Sequence, residues 1–247
     1  MLRVERMSYR RAVAIGDVLR EAWELYKKFL WQLFLTAFVV FVVLDLVGAL
    51  ANVAAGDSVA AGVFWGVIAL ALSVIGYFWV EGALVELVRD VRDGRADRGI
   101  PETFRAVQPR VPALIVAGLL AGLGIFIGLL LLVVPGLYLL TIWSMIVPVI
   151  VFEGRSAGES FSRSREVVRG RGWSVFGLIV VVFLLIAIAS AIIRLIFAPL
   201  PEFLETWLGS LIAHSLTVPF AAAALATAYF HLTASQPEAE PALESAP

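Results

Sequence analysis

From Val111 to Phe152 the chain runs 42 residues without a charged side chain. A soluble domain cannot fold around such a stretch, because it offers water no polar face. A single helix of that length would reach about 60 Å, twice the hydrocarbon thickness of a bilayer. Pro135-Gly136 lies inside the run, and proline and glycine are the usual turn residues. The run therefore predicts two membrane spans, at 112–133 and 136–152, split at that dipeptide. The requirement of about 20 mostly apolar residues per span predicts four more, at 29–51, 59–82, 174–197 and 209–231. Composition agrees: 61% of the 247 residues are hydrophobic and 16% charged, against roughly half and a quarter in soluble domains. Lipid must be the solvent for much of this chain.

The charges that remain are segregated. Of 19 Lys and Arg, 18 fall into three segments: before the first span, between spans two and three, and between spans four and five. The exception is Arg194. The opposite connections are short and carry the acids Asp57, Glu202 and Glu205. Basic loops stay in the cytoplasm, so both termini are expected there. The N-terminal region does not read as a cleaved signal peptide, because its polar part runs to Lys28 and the following apolar stretch is too long. Ala49-Leu50-Ala51 has the form of a cleavage site, but small residues near a helix end are the better explanation. The tail at 233–247, with Pro237, Pro241 and three Glu, is expected to be a disordered acidic cytoplasmic segment after a single membrane domain at 1–232. The 17 Arg against 2 Lys, with much Ala, Gly and Val, fit a GC-rich bacterial genome. The expected location is the bacterial cytoplasmic (inner) membrane.

Three short segments outside the spans show helical spacing. Over 15–28, Ile15, Val18, Leu19, Ala22, Leu25 and Tyr26 share one face and charges fill the other, which predicts an amphipathic helix in the interface. A second is expected at 156–170, with Ala157, Phe161, Ser164 and Val168 on one side. A shorter one is expected at 101–108, opened by Pro101 and closed by Pro109. The first two align without gaps at an offset of 142, so that Gly16 meets Gly158, Glu24 meets Glu166, Trp31 meets Trp173 and Phe34 meets Phe176. The expected fold is all-α: a polytopic six-helix protein built as three hairpins, each led by a cytoplasmic amphipathic helix, with internal pseudo-repeats about the membrane normal. The competing explanation is that all basic helices leading into spans look alike.

Residues 135–176 carry a more specific pattern. A Pro-Gly turn leads to a short span ending in Pro148 and Glu153-Gly154. A Ser-rich helix from Glu159 through Ser164 follows, and then a basic-aromatic entry to the next span. This stretch resembles the membrane domain of bacterial glycerophosphoryl diester phosphodiesterases and the related stand-alone family of uncharacterised membrane proteins. In the fused enzymes the catalytic barrel is a separate soluble domain, and the present chain is expected to lack it. The resemblance thus implies a membrane module rather than a hydrolase. Glu153, Gly154, Glu159 and Ser164 match its motif positions, with no catalytic role implied.

Chemistry-bearing residues are few. Cysteine is absent and only His214 and His231 occur, so thiol chemistry is excluded and a metal centre is not expected; nor is any cofactor. No Walker loop, nucleophile elbow or metalloprotease motif is present. An ionisable group inside a span costs about 2.5–3.5 kcal/mol on insertion scales and is a functional suspect. Asp45, Arg194 and His214, with Asn52, fall at similar depth in the outer third and form one candidate cluster, with an Asp45–Arg194 pair at its heart. Arg194 could instead snorkel to the interface. Glu81 and Glu153, with His231, form a second candidate, on the cytoplasmic side; pairing with loop arginines is the alternative. Gly118, Gly122, Gly124 and Gly128 give small-xxx-small spacings in span three and predict close helix contact. Lys27, Lys28, Arg163, Arg165, Arg169 and Arg171 are candidate lipid-headgroup contacts.

Three functions remain open. The first is a non-enzymatic module binding anionic lipid headgroups, or docking a protein partner or a second copy of itself, through its cytoplasmic face. The second is a small transporter or channel subunit with an outer polar site. The third is a lipid-modifying enzyme using Glu81, Glu153 and Glu159. Nucleic acid is not an expected partner, since basic loops at a membrane surface read as topogenic.

Overall fold

The computed structural model describes residues 15–56, 58–92, 94–95 and 97–234. Among these residues every regular element is helical and no strand occurs. The helices are α1 (Ile15–Lys28), α2 (Leu30–Ala55), α3 (Val59–Val91), α4 (Ile100–Val107), α5 (Val111–Leu131), α6 (Val133–Ile142), α7 (Ile146–Glu153), α8 (Ala157–Val168), α9 (Gly172–Phe197) and α10 (Glu202–Ala234). Six segments are long and apolar enough to cross a membrane, the fourth being α6 and α7 together. The tail expected to be disordered lies outside the described residues, apart from Thr233 and Ala234, which end α10.

Three boundaries differ from expectation, and one is the start of α10, at Glu202 rather than near 209. α3 does not stop near 82 but continues to Val91. Val80, Leu84, Leu87, Val88 and Val91 are all buried, so its apolar face outlasts the apolar stretch. The chain also reverses at Leu132 (φ −156°, ψ 136°), not at Pro135-Gly136. Pro135 sits in the first turn of α6, where the missing N–H would have had no intrahelical partner. Gly136 serves contact instead: a Cβ added to Gly128 would stand 2.9 Å from the Gly136 Cα. Gly118 gives way to the Phe78 ring and Gly124 to Trp143, whereas Gly122 faces open space.

The fourth span is broken between Ile142 and Ile146. Pro148 accounts for the break, because a proline ring clashes with the carbonyl four residues back and lacks the N–H that would bond it. Backbone groups freed inside a membrane must find partners within the protein. Ser164 of α8 supplies them: its hydroxyl donates to the Ile142 carbonyl at 2.7 Å and accepts from the Met145 N–H at 3.1 Å.

Contacts between elements follow a cyclic order. α1 packs on α10, α4 on α3 and α8 on α7. The long helices repeat the order less completely, with α2 on α10, α5 on α3 and α9 on α6. α3, α7 and α10 touch one another in the middle. Buried residues gather at the end that carries the short helices, hereafter the basic end. On α3 they lie between Gly76 and Val91 and none precedes Gly76; α7 buries Ile146 and Pro148 through Val151. Away from the basic end fewer side chains are buried, although the helices of a hairpin still touch there, as at Gly128 and Gly136.

Candidate functional site

Away from the basic end a cavity of about 350 Å³ opens between α2, α3 and α10. Each wall is one helical stripe. Asp45, Gly48, Asn52 and Ala55 recur at three- and four-residue steps on α2; Gly62, Gly66, Ala69 and Ser73 do so on α3; Thr206 and Ser210 are one turn apart on α10. The small residues make the space, and the polar ones line it within otherwise apolar helices. Ser73 is 14 residues into α3, about 21 Å along its axis, so the cavity reaches deep.

The carboxylate of Asp45 meets His214, one turn beyond Ser210. The His214 Nδ1 stands 3.1 Å from both Asp45 oxygens. The Asp45 side chain is 13% exposed and that of His214 46%. The Phe41 ring lies 5.0 Å from the imidazole, centroid to centroid, and closes the apolar side of the pair. Asn52, exposed on α2, lines the cavity mouth. The structure thus brings together three of the four outer candidates. Arg194 is the correction. It is exposed on α9, makes no ion pair among the described residues and does not line the cavity. Depth placed it level with Asp45, but its side of α9 faces away.

At the basic end the candidate acids do not converge. Glu153 receives the Arg163 Nε at 2.9 and 3.0 Å on its two oxygens and the Tyr229 hydroxyl at 2.6 Å, with Arg155 at 3.4 Å. His231 meets Glu21 at 2.6 Å instead. Glu81, half-buried on α3, makes no hydrogen bond or ion pair among the described residues. Gly154 ends α7 in the left-handed region at φ 67°, which favours glycine. Glu159 closes a capping box with Ser156 at the start of α8; the Ser156 hydroxyl first, then the Ser156 backbone N–H, hold its carboxyl below the usual range. Partial burial works against the Arg163 charge, but the hydrogen bonds and charge of Glu153 and Glu166 outweigh it and raise its pKa.

Most of the candidate lipid contacts are likewise occupied within the protein. Arg171 donates to the Leu232 carbonyl at 2.9 Å and Lys28 to the Gly94 carbonyl at 3.2 Å. Lys27 stands 5.7 Å from the centre of the Trp23 ring. Arg165 and Arg169 are exposed.

Two partners were missed from sequence. Glu86, 3% exposed, takes Arg98 at 2.6 Å; the unbroken apolar spacing of 80–91 was the available signal. Tyr229 had none, since its partner Glu153 is 76 residues away. Ser73, Thr206 and Ser210, which line the cavity, were also missed from sequence; polar side chains at helical spacing within apolar spans were the available signal.

The six apolar helices mark a multi-pass membrane protein, with a polar cavity away from its basic end. The chain belongs to the family described as Domain of unknown function (DUF7847), which matches residues 103–233, just over half its length. His214 falls inside that match and Asp45 outside it. No curated protein and no solved structure matches the chain.

Proposed function

We propose that this is a small-solute binding protein of the transporter class, with its site in the outer cavity and its basic end in the cytoplasm. The observation that carries the reading is the cavity itself. About 350 Å³ of space lined by Asp45, Asn52, Ser73 and Ser210 lies in the size range of small-molecule sites, and polar lining inside apolar helices marks solute pathways. The orientation rests on the Lys/Arg distribution. The cyclic contacts of α1, α4 and α8 support three hairpin units with interfacial helices on the cytoplasmic face. In this reading the bases at that end chiefly pin the units together, through Glu21–His231, Glu86–Arg98 and Glu153–Arg163. That leaves fewer of them for anionic lipid or a docking partner. An enzyme using Glu81, Glu153 and Glu159 is not favoured, because Glu153 and Glu159 spend their oxygens on structural bonds. The likeness of 135–176 to phosphodiesterase membrane domains supports a membrane module and names no activity.

The absence of native cysteine permits a direct test. Ala69→Cys places a thiol on the cavity wall; Leu70→Cys places one on the adjacent exposed apolar face of α3. A membrane-impermeant thiol reagent is expected to label Ala69→Cys at least about tenfold faster, because thiolate forms poorly in apolar surroundings. Equal, slow labelling of both would remove the solute-binding reading.

A further inference from the structure

We propose that the outer cavity takes a small organic cation, such as a protonated amine or a guanidinium, and that it does so in exchange for a proton held on His214. The proposal rests on the solute-binding reading and adds the ligand's charge and its coupling.

Charge comes first. Among the described residues that line the cavity Asp45 is the only ionisable one, and no Lys or Arg joins it. The other polar groups are the Asn52 carboxamide and the hydroxyls of Ser73, Thr206 and Ser210. All carry oxygens able to accept N–H hydrogen bonds. The site therefore offers one negative charge and a ring of acceptors, which suits an N–H-bearing cation. Volume decides against a bare metal ion. About 350 Å³ equals the share of roughly ten waters in liquid, far more than the few tens of Å³ that an ion requires. Among the described residues no group of three or more His, Cys, Asp or Glu stands close enough to hold a metal.

The coupling follows from the geometry of the pair. The His214 Nδ1 faces the carboxylate, so its N–H donates to Asp45 in either charge state, and the exchangeable proton is the one on Nε2. With His214 protonated the pair carries no net charge; with His214 neutral it carries one negative charge. The Phe41 ring stands against the imidazole, 5.0 Å between centroids. A bound cation supplies the positive charge instead, and the Nε2 proton leaves. One charge enters and one proton departs, so the net charge of the site is unchanged. The charged groups of the surrounding elements are few. α2 offers Asp45 alone, and the outer part of α3 none. α10 carries Glu202 and Glu205 in its first turn, beyond Thr206. α9 offers Arg194, which makes no ion pair with Asp45.

The test uses the full-length Ala69→Cys protein in vesicles, with ethylammonium and guanidinium as probes and sorbitol as a neutral control. Protection is the ratio of labelling rates without and with probe at each pH, which cancels the reagent's own pH dependence. The cations should protect and sorbitol should not. The cation concentration giving half protection should fall as pH rises, by up to about tenfold per pH unit for a one-proton exchange. Asp45→Asn should abolish protection while the thiol stays reactive, and Asp45→Glu should restore it. His214→Gln should keep protection and flatten its pH dependence. Sorbitol protecting as well as the cations, a reactive thiol that neither cation protects, or protection surviving in Asp45→Asn would overturn the cation site and leave the solute-binding reading standing. A steep pH profile persisting in His214→Gln would overturn the exchange alone. A thiol unreactive without any probe would sink the solute-binding reading itself.

Discussion

Ser164 answers two backbone groups with one hydroxyl. The Ile142 carbonyl and the Met145 N–H lie on either side of the break before Pro148, and Ser164 bonds both while being fully buried. Removing the hydroxyl strands groups that cannot turn to water. Ser164→Ala is therefore expected to lower detergent-extracted stability by about 1–3 kcal/mol, the usual cost of a buried unsatisfied group. Ser162 sits on the exposed side of α8 and bonds only the carbonyl three residues back. Ser162→Ala should change stability by no more than about 0.5 kcal/mol. Comparing the two thermal melts checks this, and an equal effect would deny Ser164 its bridging role. Ser164 was legible as a motif position, but its task was not. Its partners lie 19 and 22 residues back along the chain and adjoin it only once the span has broken. The same limit explains Arg194. Counting residues along a span yields depth, and depth says nothing about which side of the helix a group occupies.

Elements were more legible than residues, because periodicity survives in the sequence when contacts do not. The helix expected at 15–28 is found as Ile15–Lys28, and the one expected at 101–108 as Ile100–Val107. What failed was the turn inside the uncharged run. Proline and glycine punctuate chains in general, but here Pro135 opens a helix and Gly136 admits a neighbour. The glycines of α5 show the same dependence on surroundings. A Cβ on Gly118 would overlap the Phe78 ring of α3, whereas one on Gly122 would meet nothing within 4 Å. Gly118→Ala should then push α3 and α5 apart and lower the melting temperature. Gly122→Ala should leave it unchanged or raise it, since alanine is favoured over glycine inside a helix by up to about 1 kcal/mol. Circular-dichroism melts of the two variants decide the matter; the opposite order would show that α5 does not approach α3 along Gly118.

At the scale of the whole molecule, the repeat seen as an offset of 142 reappears in the element bounds. Leu30–Ala55 and Gly172–Phe197 are both 26-residue helices displaced by that offset, and the 33-residue helices α3 and α10 follow them. The buried positions of α1, namely Val18, Ala22 and Tyr26, fall on Ser160, Ser164 and Val168 of α8, which are buried too. Cyclic order was beyond reach from sequence, because its closing contact joins α1 to α10 across nearly the whole chain. The Tyr26 hydroxyl makes that contact by donating to the Leu216 carbonyl at 3.0 Å, in the turn before Pro219 of α10. If the repeats run parallel, α1, α4 and α8 must all lie on one side of the membrane, and the positive-inside rule makes that side the cytoplasm. The connections after α2 and α9 then face outward with the cavity. Asp57→Cys should react with an impermeant thiol reagent added to intact cells. Arg105→Cys, exposed on α4, should react only after the membrane is made permeable. Labelling of Arg105→Cys in intact cells would reverse the orientation, turn the cavity to the cytoplasm, and make any proton exchanged at His214 a cytoplasmic one.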